Sequence, residues 1–235
     1  MAKLEQTFEL KPAEHEDIPR LAYIHVVACL PDNATALYFS DPKEFEKRVT
    51  DMLNGQVGDP AWKHIKAVDK KTGVIAAWAS WNTPIDDQIR ERDEKAAAKA
   101  NEVNKDLNKG EFDFPPGLPM YVQNDTDKWL EKWTKGQRHI VCKALFTEPS
   151  FERQGMGNAL VEHGNQYADS VGLPIFLQGS PFGFPIYAKH GFETVQYLDV
   201  DLTEWAPRAK GNDKGYGNYR FRYMQRLPKT LPSAA

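Results

Sequence analysis

The sequence predicts an α/β fold built on a mixed, largely antiparallel central sheet flanked by helices. Residues up to 83 read as strand, helix, helix, strand, strand. Residues 139–172 read as a buried strand that runs through a glycine loop into an amphipathic helix. A third observation places the end of the chain in the same sheet: the runs 192–202 and 215–227 both have strand character and suit an antiparallel pair.

The elements follow in order. "TFELKPA" is a strand, with Phe8 and Leu10 alternating toward a core. "HEDIPRLAYIHVVACL" is a helix whose stripe is Ile18, Leu21, Ala22, Ile24 and His25, stopped by Pro31. "DPKEFEKRVTDML" is a second helix, with Asp41 as N-cap and Pro42 at its first position. "WKHIKAVDK" and "GVIAAWASWNTP" form a hairpin around Lys70–Gly73.

Residues 85–137 break this rhythm and are expected to be an insertion over the domain, a candidate lid. Within them, residues 86–110 are rich in Ala, Glu and Lys and read as an exposed helix with few core anchors. "EFDFPPGLPMY" reads as a proline-stiffened connector. "DTDKWLEKWTKG" reads as a short helix with Trp129 and Trp133 on one face, either capping a pocket or anchoring the insertion. No Gly/Ser-rich or strongly charged linker divides residues 1–235, so one domain is expected.

The pattern then resumes. Strand 139–147 leads into helix 155–171, whose stripe is Met156, Ala159, Leu160, His163, Tyr167, Ala168 and Val171, and Gly172 ends it. "LPIFLQGS" is a buried strand and "FPIYAKHG" a short helix.

Composition narrows the function. The 235 residues are 41% hydrophobic and 27% charged, ordinary for a soluble protein, and the net charge of -3 gives no reason to expect nucleic acid or an anionic membrane as partner. Arg220, Arg222 and Arg226 alternate with Tyr219, Phe221 and Tyr223, which reads as a strand with one wet face. Cys29 and Cys142 sit in apolar surroundings without a motif and read as free thiols in a reducing compartment. The N-terminal run lacks an apolar core and no segment approaches membrane-spanning length, so a cytoplasmic location is expected. The six histidines show no metal-ligand spacing.

A strand entering a helix through glycines leaves unpaired N–H groups at the helix start, a natural seat for phosphate. "RQGMGNA" is neither a Walker loop, lacking Lys-Ser/Thr, nor a dinucleotide fingerprint, lacking the third glycine and a repeating parallel β-α pattern. The wider segment 144–195 resembles the acetyl-CoA core of the GNAT superfamily of N-acetyltransferases, in wording most similar to fungal members of uncharacterised substrate. The matching parts are a strand ending before Pro149, the arginine–glycine loop, "YADSVGLP", a strand into Ser180-Pro181, and Tyr187 four residues before Gly191-Phe192. The family loop usually opens on Gln or Arg, whereas Glu152 stands here and is expected to face solvent.

The resemblance implies acetyl-CoA as cosubstrate, lying along Leu145, Phe146 and Thr147. Its pyrophosphate would rest on the amides of Gln154, Gly155, Met156, Gly157, Asn158 and Ala159, with Arg153 and Gln154 adding charge and donors. Ser180 falls where the family usually has an asparagine that contacts the cofactor arm. Tyr187 matches the tyrosine that protonates the departing thiolate; the alternative is a packing tyrosine. Glu148 is a positional candidate for the base, although a surface carboxylate is the simpler reading, and no base is identified. The implied reaction is acetyl transfer to a primary amine of a small molecule in a ternary complex. The alternatives are an acyl-CoA-binding regulatory protein without turnover and a protein or peptide N-acetyltransferase.

Overall fold

The computed structural model describes residues 7–39, 41–83, 117–206 and 216–229. The exposed helix expected over 86–110 lies outside them. Seven strands form one sheet: β1 (Phe8–Pro12), β2 (Trp62–Asp69), β3 (Ile75–Asn82), β4 (Ile140–Thr147), β5 (Ile175–Gly179), β6 (Glu193–Asp201) and β7 (Asn218–Arg226). Their order is β1-β2-β3-β4-β5-β7-β6. Every neighbouring pair is antiparallel except β4 and β5, which run parallel. The expected fold class is the observed one.

The helices divide between the two faces. On one face α5 (Met156–Val171) and α6 (Phe184–Lys189) enclose Ile65, Ala77, Trp81, Ile140, Leu160 and Tyr187. On the other, α1 (Ile18–Cys29) and α3 (Pro42–Gln56) pack Leu21, Ile24, Phe45 and Leu53 around Trp78. Beside them α2 (Asn33–Tyr38) and α4 (Leu118–Thr134) cover β5, β7 and β6 through Leu37, Trp129, Phe176 and Tyr223. The wet-face reading of β7 holds at Arg220, which pairs with Asp199 across to β6 while Tyr219, Phe221 and Tyr223 are buried. It fails at Arg226, which is itself buried and paired with Asp169 of α5.

One expectation is corrected and two elements are added. The run from Leu118 to Tyr121 is not connector but the first turn of α4, which spans 17 residues instead of beginning near Asp125. Leu118, Val122 and Trp129 of that helix are buried, and the Trp129 ring stacks on Tyr223 with centroids 4.6 Å apart. Trp129 therefore anchors this segment. Two short helices, α2 and α7 (Leu202–Trp205), escaped the periodicity because six and four residues are too few to show one. Asp32 caps α2, accepting from the amides of Ala34 and Thr35, and Asp201 caps α7.

The buried stripe of α5 is Met156, Leu160, Val161, Gly164, Asn165 and Ala168, while Val171 is 44% exposed. The helix is thus rotated from the expected stripe, and Gly164 explains why. A Cβ on Gly164 would stand 2.4 Å from the Trp81 ring, so this glycine lets the helix close on an indole that is itself buried. Gly164→Ala gains about 1 kcal/mol of helix propensity. Forcing an extra carbon into a packed ring costs about 1–3 kcal/mol or more. The net expectation is destabilisation, with a melting temperature lower by roughly 2–6 °C. An unchanged or higher melting temperature would show that Trp81 yields.

Candidate active site

The site is built where β4 and β5 part. Their parallel pairing lasts two positions, Ile140 with Ile175 and Val141 with Phe176. Beyond Val141, β4 stays paired with β3 as far as Thr147, and β5 stays paired with β7 as far as Gly179. Each strand keeps its outer partner while losing the inner one, which opens a V between them. Among the described residues, the edge of β4 from Cys142 to Thr147 on that side has no strand partner. At the same point β4 carries one residue more than β3: Trp81 opposes Cys142 and Ser80 opposes Ala144, leaving Lys143 unopposed. Such a bulge bends its strand and re-aims the side chain.

The end of β4 leads through a 3-10 turn, Pro149–Phe151, to the start of α5. Arg153 and Gly155 both take positive φ, 62° and 88°. That conformation favours Gly155 as glycine and is unusual for Arg153. Gly155 is the N-cap and offers no capping side chain. The first helical N–H bond is Ala159 to the Gly155 carbonyl at 3.0 Å. The amides of the preceding turn are therefore left for another acceptor. A Cβ on Gly157 would approach Ile186 to 3.1 Å, so its small size lets α5 press on α6 near Thr147. Glu152, Arg153 and Gln154 are exposed, as expected for Glu152.

The remaining sequence-derived residues are placed as follows. Leu145 packs with the α5-side core and Phe146 with the α1-side core, so consecutive residues of β4 face opposite ways. The Asn158 side chain is engaged by His190 at 3.0 Å, which leaves its amide as its free contribution. Ser180 Oγ accepts from the Gly183 amide at 3.0 Å and so shapes the turn into α6. Tyr187 on α6 is 8% exposed, and its hydroxyl meets the Cys142 thiol on the first residue of β4 past the pairing. Burial raises the Tyr187 phenol well above its usual range and pushes the Cys142 thiol up to about 12, so both stay protonated. Glu148 pairs with Arg20 of α1, whose Nε also donates to the Ile75 carbonyl at 2.9 Å. That engagement favours the structural reading of Glu148.

Sequence reasoning missed the residues on the α1 and α4 side of the V. His25 stacks on Phe146, ring centroids 3.9 Å apart, and burial lowers its pKa to about 3. The Tyr223 hydroxyl donates to Asp125, and Gln178 of β5 donates to Thr126 Oγ1 at 2.8 Å. Asp32 takes the Tyr219 hydroxyl at 2.6 Å. "DTD" in α4 was the available signal, but only the pairing of β5 with β7 brings it to the mouth of the V. Among the described residues no His/Cys/Asp/Glu group could hold a metal, and no helix is long and apolar enough to cross a membrane. A separate groove of about 540 Å³ runs along the later turns of α5, between Trp62, Trp81, His163 and Tyr167.

No protein-family model and no curated protein matches the chain. Solved structures do. An arylalkylamine N-acetyltransferase 2 from Aedes aegypti is 14% identical with a TM-score of 0.63, over 94% of this chain and 99% of that one. A structure described as histone acetyltransferase HPA2 and related acetyltransferase, from Corynebacterium glutamicum, is 18% identical with a TM-score of 0.56, over 97% and 99% of the two chains. A mosquito arylalkylamine N-acetyltransferase like 5b is 12% identical with a TM-score of 0.57. At these identities the likeness is one of fold: this chain has the fold of GNAT N-acetyltransferase structures. None of the three is fungal, so the fungal likeness gains no support from them.

The buried histidines make acid stability testable. His25 and His64 are held at about 3 and about 4 by burial, against about 6.5 in an unfolded chain. Below pH 6.5 the unfolded state therefore binds protons that the folded state refuses, and stability falls as pH drops. Each histidine contributes a slope approaching about 1.4 kcal/mol per pH unit. In urea melts between pH 6 and 4.5, His25→Leu should reduce the slope by about 1 kcal/mol per unit. An unchanged slope would mean that His25 protonates freely in the folded protein.

Proposed function

We propose that the protein is an acetyl-CoA-dependent N-acetyltransferase that moves the acetyl group to a primary amine of a small molecule, with both substrates bound together. The observation that carries this reading is the coincidence, on one strand, of two features. The unpartnered edge of β4 begins after Val141, and the uncapped start of α5 follows its far end. An extended amide-bearing arm suits the first, because free main-chain groups pair with amides. A pyrophosphate suits the second, because helix-start amides and the dipole favour anions.

In this reading acetyl-CoA lies along Leu145, Phe146 and Thr147, with its pyrophosphate on the amides of residues 154–159. Asn158 contributes main chain only, since His190 holds its side chain. Ser180 acts through the turn that it shapes. A main-chain N–H of β4 polarises the thioester oxygen as charge develops there. The amine nitrogen attacks the carbonyl carbon, the C–S bond breaks, and the sulfur takes a proton from Tyr187. The raised pKa of this phenol makes it a reluctant acid, so its help is modest. On the side of the sheet toward α2 and α4 the half-buried Tyr38 offers an aromatic surface to an acceptor, over a core of Trp129 and Tyr223.

The test is release of free CoA thiol from acetyl-CoA in the presence of primary amines, 2-phenethylamine first. Turnover is expected with small amines and not with peptides. Acetyl-CoA binding without turnover on any amine would leave the regulatory protein as the answer. Tyr187→Phe keeps the packing and deletes the hydroxyl. It should lower kcat about ten- to a hundredfold, with acetyl-CoA binding unchanged. A kcat within about twofold of wild type, where chemistry limits the rate, would make Tyr187 a packing residue.

A further inference from the structure

An acceptor amine is an ammonium at neutral pH and must lose a proton before it attacks. The carboxylates around the V are engaged. Glu148 is paired with Arg20, Asp32 caps α2 and takes Tyr219, and Asp125 takes Tyr223. His25 is kept neutral, but it is enclosed between Phe146 and Phe45. Lys143 differs from all of these. It is the bulged residue of β4, two positions beyond the last pair with β5 and two before Leu145. It is exposed, and no described residue forms an ion pair with it. Across from it α4 presents Asp127, which also accepts from Gln123 at 2.7 Å.

We propose that Lys143 is the general base of the transfer, taking the proton of the acceptor's ammonium in the cleft between β4 and α4, with Asp127 setting how tightly that proton is held. The inference rests on the acetyltransferase reading. The balance is simple. The nitrogen goes from ammonium to amide and loses two protons. One passes to the Lys143 amine and then to water, and the other ends on the sulfur as C–N forms and C–S breaks. The surrounding protein disfavours the charged lysine and lowers its pKa, while Asp127 opposes that shift. Lys143 is still open to water, and substrates that displace this water would deepen the lowering. Asp127 is the charged group whose field acts on Lys143. Nearby in sequence or sheet, His25 is kept neutral by burial, Gln178 donates to Thr126, and Asp125 takes the Tyr223 hydroxyl.

The experiment measures kcat/KM against pH for the wild type, Lys143→Met and Asp127→Asn. Two probes are used: 2-phenethylamine, which must be deprotonated near pH 7, and 2,2,2-trifluoroethylamine, which is already neutral there. Lys143→Met should lose about a hundredfold with the first amine at pH 7.5 and less than about tenfold with the second. Asp127→Asn should move the rising limb to lower pH, since a lysine without its carboxylate gives up the proton more easily. Equal losses with both amines, or an unmoved limb in Asp127→Asn, would overturn the base and leave the acetyltransferase reading standing. A wild type that releases no CoA thiol with either amine would overturn both.

Discussion

Parallel pairing between β4 and β5 stops after two residue pairs, and the site depends on that stop. A sheet normally satisfies every interior N–H and C=O through its neighbours. Here two adjacent central strands are held by outer partners, β3 and β7, and separate from each other. The bulge at Lys143 gives the separation a local cause, since an extra residue bends β4 at the point where β5 leaves it. The resulting edge can be satisfied by a ligand that offers amides of its own. Tyr187, the uncapped start of α5 and Lys143 all gain meaning from their distance to that edge.

The two sides of the V are built differently. On the α5 side contacts are close and small residues set the fit: Gly157 admits Ile186, and Gly164 admits Trp81. On the α1 and α4 side, aromatic rings and buried hydroxyls predominate, with Tyr38, Tyr219 and Tyr223 all raised in pKa by burial. A rigid face suits a ligand whose position must be constant, and a face of rings and polar groups suits one chosen by shape and charge. Under the proposed function, this asymmetry would suit one cosubstrate on the first side and a separate acceptor on the second.

Much of this was legible in the sequence. The strand, glycine loop and helix around Gly155 were visible because the apolar period changes from two to 3.6 across the glycines. The hairpin of β2 and β3 and the closing pair β6 and β7 were visible for similar reasons. What escaped depends on residues far apart in the chain. The rotation of α5 follows from one contact, Gly164 with Trp81, that no local pattern signals. The length of α4 was hidden by the proline at its first turn, which reads equally as connector or helix start. Lys143 is ordinary until the register with β3 shows it to be unopposed.

The most direct measurement is amide hydrogen exchange by mass spectrometry, with and without acetyl-CoA. Placement of the cosubstrate in the V predicts slower exchange over residues 142–147 and 154–159, with β1 and β2 unchanged. The alternative seat is the groove of about 540 Å³ along the later turns of α5. Protection confined to residues 62–65 and 163–170, with the edge of β4 still exchanging at its free rate, would contradict the account.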